Sequence, residues 1–306
     1  MNYVFEDIKR QFTGRSMLAR IIIVNGAVFL VTVLVRVLFK ILLQDLDTWA
    51  MLESNAYFLG VPADLKTLLF RPWTILTHMF THFEFWHLFW NMLWLYFMGS
   101  MLIQELGNRK LLSTYLLGGF AGFVLYVLMF NVFAALPTSS VAVGASAAVF
   151  AIVTTIGAYA PNRKLNLFGI LPVKLWVLAL VFVLRDVMEL QSGNNIGGHL
   201  AHLGGAIFGY IQGKALVNGR DLAAGFERFL DRFFDTLKGG NRTRMKVIRD
   251  KKSPGNRSAR GRSDEEYNRD KFETQQQIDR ILDKISKSGY DSLSKFEKDF
   301  LRDHGS

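Results

Sequence analysis

The sequence predicts an all-α membrane protein: a bundle of six transmembrane helices with a membrane-associated first loop, followed by an aqueous tail. Three observations carry this. Half of the 306 residues are hydrophobic, yet 36 Lys and Arg face 26 Asp and Glu for a net charge of +10. The two properties occupy different parts of the chain, with apolar stretches of helix length up to about residue 217 and a polar, charged remainder from 219 on. Between residues 111 and 162 no side chain is charged. The absence of cysteine excludes disulfides, thiolate metal sites and a cysteine nucleophile.

Residues 1–17 are short, polar and basic and read as a cytoplasmic segment. The apolar run that follows has no small-x-small cleavage site, so 18–43 is expected to be a retained first span, with Arg36 and Lys40 snorkelling at the far surface. The loop 44–84 is the longest in the membrane domain, and its apolar, aromatic second half is too short to span, which suits a re-entrant or interfacial segment. Further spans are expected at about 85–104, 111–135, 144–160, 173–190 and 198–217. The break between the third and fourth comes from Leu136-Pro137-Thr138-Ser139-Ser140. Lys174, Arg185, Asp186 and Glu189 crowd the ends of the fifth.

Orientation follows from the basic residues of the short loops. Lys9, Arg10, Arg15 and Arg20, then Arg109 and Lys110, then Arg163, Lys164 and Lys174 fall on one side together with the basic tail. By the positive-inside rule both termini are cytoplasmic. The second, fourth and sixth spans then run inward from the outer face, so His87 and Asn91, Ser146, and His199 and His202 all lie one to two turns below it. Of the six histidines, His78, His82, His87, His199 and His202 gather at this layer.

A serine in a membrane helix is more often a packing or back-bonding residue than a nucleophile. Ser146 becomes a candidate because a neutral imidazole from His202 could take its proton. If the fourth span begins near Gly144, backbone N–H groups of its first turn are free to stabilise an oxyanion. His87 and Asn91, at i,i+4 spacing, could add side-chain donors from one face of the second span. Gly205, Gly209 and Gly213 form a small-residue stripe on the sixth span, and Ala147, Ala148 and Ala151 offer a matching surface on the fourth.

Gly144-Ala145-Ser146, Ala201-His202-Leu203-Gly204-Gly205, His87-Leu88-Phe89-Trp90-Asn91 and Arg71-Pro72-Trp73 together resemble the motifs of the rhomboid intramembrane serine proteases, over residues 18–217. The resemblance implies a rhomboid-like bundle and a serine endopeptidase with Ser146 as nucleophile, His202 as general base, and His87 and Asn91 at the oxyanion. The implied substrates are transmembrane proteins, cut near the outer end of the helix after local unwinding, without metal or organic cofactor. With the short loops it also suggests a bacterial inner membrane, an organelle membrane being the alternative. The chain departs from the family at Ala147, often glycine there, and at Gln104-Glu105-Leu106-Gly107, where the acid is shifted. No carboxylate is evident to orient His202, so the expected machinery is a dyad whose imidazole is fixed by aromatic packing.

Other readings stand beside this one. A non-catalytic relative could bind transmembrane helices with the same fold. A histidine-rich metal transporter would need an intramembrane carboxylate beside the histidines. His78 and His82 read as interfacial residues bonding loop backbone, His199 as a structural or access residue, and Arg185 with Glu189 as an i,i+4 ion pair.

In the tail, the apolar positions of 218–238 recur at helical spacing, an amphipathic helix for the inner membrane surface. Residues 239–273 read as a linker whose Lys- and Arg-rich part, which supplies most of the net charge, touches anionic lipid; without interleaved aromatics it is not expected to bind nucleic acid. Residues 274–306 read as a short helical segment, with Ser294 and Glu297 at capping-box spacing, that resembles the C-terminal segment of some bacterial rhomboid proteins and could bind a partner or another copy.

Overall fold

The computed structural model describes residues 16–43, 58–167 and 170–237 and, towards the C-terminus, residues 278, 281, 283–285, 289 and 292–304. The expected basic stretch and linker, the N-terminal segment 1–15 and the first part of the long loop, 44–57, lie outside these. The chain divides into two compact units, Met1–Asn241 and Arg242–Ser306.

The first unit is built from helices. Helix α1 is Met17–Leu43. The first loop carries α2 (Leu65–Phe70), capped where Asp64 accepts from the Thr67 backbone N–H at 2.6 Å, then α3 (Thr74–Thr77) and a 3-10 turn, His78–Phe80. The second and third expected spans are two helical limbs, together α4 (Phe85–Val132), separated by a kink where Gly107 is non-helical. There φ is 84°, a left-handed conformation that glycine adopts without a Cβ clash. Then come α5 (Ser146–Tyr159), α6 (Leu175–Glu189), α7 (Ile196–Val217) and α8 (Ala224–Leu237).

The strictly all-α expectation needs one correction. Val61–Pro62 (β1) pairs antiparallel with Val141–Ala142 (β2), and Lys164–Leu167 (β3) with Leu171–Lys174 (β4). Both are too short to alter the helical character, but β1 and β2 tie the first loop to the chain just before α5.

Among the described residues, two helices are long and apolar enough to cross a membrane by themselves, Met17–Leu42 and Phe85–Val132; Ser146–Tyr159 is apolar but shorter. Helix α5 is the most enclosed, with Ala147, Ala148, Val149, Ala151, Ile152, Val153 and Ile156 all buried. It lies between the second limb of α4 and α7 because both present glycine to it. A Cβ on Gly118 would meet the Ala151 methyl at 2.2 Å, and one on Gly122 the Ala147 methyl at 2.5 Å. From α7, a Cβ on Gly205 would meet the Ala147 carbonyl oxygen at 2.1 Å, on Gly209 that of Ala151 at 2.2 Å, and on Gly213 that of Thr155 at 2.5 Å. The glycine stripe therefore faces Ala147 and Ala151, while Ala148 turns towards Gly118 of α4. Ala147 fits where the family often has glycine because Gly122 makes room for its methyl.

The opposite end of the bundle is held by charge. Buried Lys110 bonds Asp221 at 2.5 Å and Glu227 at 2.6 Å, and Arg163, after α5, bonds Glu105 and Gln104 before the α4 break. Glu227 and Asp231 anchor one side of α8 while Phe229, Phe233 and Phe234 stay exposed. Arg36 of α1 places its guanidinium 4.4 Å from the Phe83 ring centroid, so it has an aromatic partner.

In the second unit, α9 (Lys295–His304) opens with a reciprocal capping box. The Ser294 N–H donates to Glu297 at 2.7 Å, the Glu297 N–H to Ser294 Oγ at 3.3 Å, and Lys284 donates to Glu297 at 2.9 Å.

Candidate active site

The chain reaches Ser146 through a turn that only a few residues could form. Gly144 has φ 119°, outside the comfortable range of any L side chain, and its N–H donates to the His78 carbonyl at 2.8 Å. The next N–H, of Ala145, donates to His82 Nε2 at 3.2 Å. His78 and His82 thus hold loop backbone, and what they hold is the entrance to α5. With Ala145 as N-cap and no side-chain cap, the first N–H groups of α5 have no acceptor within the helix.

Ser146 and His202 meet because the Gly205–Ala147 contact lets α5 and α7 approach to backbone distance one turn away. The Ser146 hydroxyl donates to His202 Nε2 at 2.6 Å. The imidazole stacks on Phe150, with ring centroids 4.5 Å apart and planes 12° from parallel. Phe150 lies four residues after Ser146, so one face of α5 carries both the hydroxyl and the ring's support.

The expectation of a dyad is corrected at the other nitrogen. His202 Nδ1 lies 3.0 Å from both carboxylate oxygens of Asp186 on α6. A carboxylate only accepts, so the ring proton sits on Nδ1 and Nε2 presents its lone pair to Ser146. Asp186 also accepts from His199 Nδ1 at 2.8 Å. A buried carboxylate therefore does join the histidines, and the ground for setting aside metal chemistry does not hold.

His87 packs on Gly144: a Cβ there would lie 2.8 Å from His87 Nε2 and 3.7 Å from Ser146 Oγ, so imidazole and hydroxyl flank one small space. Asn91, nearly buried, donates one amide hydrogen to the His87 carbonyl at 2.8 Å. A second amide hydrogen remains. Ser146, His202, Asp186, His87 and Asn91 all line one cavity of about 880 Å³, walled by Trp90, Trp94, Phe150 and Phe182. Preorganised donors around a serine–imidazole pair, in a pocket lined by both polar and aromatic side chains, can support acyl transfer.

Fold and site together define a helical membrane protein with a serine, histidine and aspartate in hydrogen-bonded series. Residues 70–219 match the model of the Rhomboid domain, and residues 263–305 that of a family of unknown function (DUF6576). The chain belongs to the rhomboid family. It is 32% identical over 162 residues to RHOMBOID-like protein 12, mitochondrial, of Arabidopsis thaliana, covering 49% of this chain and 48% of that one. It is 32% identical over 141 residues to Rhomboid protein 1, mitochondrial, of Saccharomyces cerevisiae, covering 46% and 40%. Presenilin-associated rhomboid-like protein A, mitochondrial, of Danio rerio is 31% identical over 157 residues, covering 50% and 39%. The chain thus matches about half or less of each relative's length. All three are named mitochondrial, which runs against the bacterial inner membrane expected from the sequence.

Proposed function

We propose that this chain is an intramembrane serine endopeptidase that cuts transmembrane helices of other membrane proteins near the outer membrane face. The observation that carries the reading is the 2.6 Å contact between Ser146 Oγ and His202 Nε2. Ser146 Oγ attacks the peptide carbonyl carbon while its proton passes to His202 Nε2. The carbonyl oxygen becomes an oxyanion facing the α5 N-terminal N–H groups, His87 and Asn91. Collapse breaks the C–N bond, and the leaving amine takes the proton from Nε2. Water, deprotonated by the same nitrogen, then releases the acyl group. Asp186 positions the ring and stabilises the imidazolium formed in between.

On the proposed six-span topology this chemistry lies below the membrane surface. A 14-residue helix is roughly 21 Å long against a hydrocarbon core of about 30 Å. With Arg163 and Lys164 just past its end at the cytoplasmic boundary, α5 leaves Ser146 several ångströms inside the opposite face, where the cavity brings water to it. The exposed apolar faces of α1 and α6, and Phe229 and Phe233 of α8, suit contact with lipid. The same chemistry operates in a bacterial or a mitochondrial membrane.

The test is labelling by a fluorophosphonate probe in liposomes. Wild-type protein should label at Ser146, and Ser146→Ala and His202→Ala should not. Absence of labelling in folded wild-type protein would favour a helix-binding protein without catalysis.

A further inference from the structure

The proposed reaction uses one of the two imidazoles that Asp186 binds; His199 is left over. One ring nitrogen of His199, one of His202 and a carboxylate oxygen of Asp186 lie within 4.8 Å of one another, and it is Nδ1 of each ring that faces Asp186 Oδ1. All three side chains are largely enclosed, with exposures of 13%, 14% and 8%. His199 and His202 share one face of α7 at i,i+3 spacing, and α6 delivers the carboxylate between them.

Two imidazole nitrogens gathered about one carboxylate, beside a cavity that can supply a water, are the donor set of a tetrahedral Zn²⁺ site. Metal–ligand bonds of about 2.0–2.1 Å put tetrahedral ligand atoms about 3.3 Å apart. The His–Asp separations of 2.8 and 3.0 Å need to open by only a few tenths of an ångström. Of the charged groups lining the same cavity, Arg185 opposes a cation and Glu84 favours one.

We propose that Asp186, His199 and His202 form an inhibitory binding site for Zn²⁺. Binding of the metal stands on these residues alone; its inhibitory consequence rests on the protease reading. Coordination at Nδ1 of His202 moves that ring's proton to Nε2, with no net change in the number of protons on the imidazole. Nε2–H then donates to Ser146 Oγ and has no lone pair with which to take the serine proton. The metal also removes Asp186 from its positioning role. Zn²⁺ therefore switches the base off without touching the serine.

The test uses the full chain, purified in detergent through a tag without histidine, with Co²⁺ as the spectroscopic probe. Wild-type and Ser146→Ala protein should both develop the visible bands of tetrahedral Co²⁺, Zn²⁺ should displace them, and His199→Gln and Asp186→Asn should lose them. In parallel, Zn²⁺ should suppress fluorophosphonate labelling of wild-type protein reversibly, a chelator restoring it, while the labelling of His199→Gln no longer responds to Zn²⁺. No tetrahedral bands in wild-type protein, or bands that persist in His199→Gln, would overturn the site. Bands that depend on His199 with labelling indifferent to Zn²⁺ would overturn the inhibition. If metal-free protein does not label at all, the protease reading falls while the Co²⁺ spectra still decide the metal site.

Discussion

Both carboxylate oxygens of Asp186 lie 3.0 Å from Nδ1 of His202, so the general base is held from α6 as well as from Phe150 on α5. Asp186→Asn keeps the shape but can offer an N–H where an acceptor is needed, favouring the tautomer with the proton on Nε2. The turnover number should fall by about 10²- to 10⁴-fold, in the range of losing general-base catalysis. KM and the thermal midpoint should change little, which separates positioning from support of the fold.

Gly144 is both left-handed and pressed by His87. In Gly144→Ala the new methyl would lie 2.7 Å from His87 Cε1 on a backbone that an alanine resists. The turn into α5 should shift and Ser146 labelling should drop by at least about tenfold, since misplacing a reacting group by about 1 Å can cost 10²-fold.

The close approach of α5 and α7 makes a second, purely steric prediction. Gly205→Val inserts carbons where the Ala147 carbonyl stands at 2.1 Å, so the helices must separate. Overpacking of this kind costs about 1–3 kcal/mol, and thermal unfolding in detergent should show a lower midpoint together with lost labelling. Gly225→Ala on α8, where an added Cβ meets nothing within 4 Å, is the control and should leave both unchanged or slightly improved.

The capping box of α9 predicts an acid transition. The Ser294 backbone N–H, then Lys284, hold the Glu297 carboxyl down at about 2, below its ordinary 4.5. A depressed carboxylate contributes stability above its unfolded value and loses it on protonation. Helix α9 should keep its order above pH 4.5 and lose it as the pH falls towards 2. Following the Glu297 side-chain and α9 amide resonances through that range checks it, and Ser294→Ala should move the inflection upward.

Much of this site was legible in the sequence, because Ser146, His202, His87 and Asn91 stand near the starts of the helices expected from the apolar runs. The glycine stripe was legible for the same reason: Gly205, Gly209 and Gly213 recur every four residues, and the contact to Ala147 and Ala151 follows. Asp186 was missed because it sits among Arg185 and Glu189 near a helix end, where charge ordinarily means solvent. Helical spacing held the missing signal. Leu175, Leu178, Phe182 and Asp186 follow one another at three- and four-residue steps, and the first two are buried. That stripe puts Asp186 on the inner face. The break at Gly107 falls in the expected connection between the second and third spans, where Glu105, Arg109 and Lys110 interrupt the apolar run. The β1–β2 clasp was not legible, because local pattern does not encode a pairing of Val61 with Ala142 and Pro62 with Val141, 81 and 79 residues apart in the chain.

The most direct test of the central claim is cleavage of a model transmembrane substrate in liposomes by purified wild-type, Ser146→Ala and His202→Ala protein, with the cut site read by mass spectrometry. The account predicts one or more cuts near the outer end of the substrate helix by wild-type protein and none by either variant, all three remaining folded. Equal cleavage by folded Ser146→Ala would contradict it.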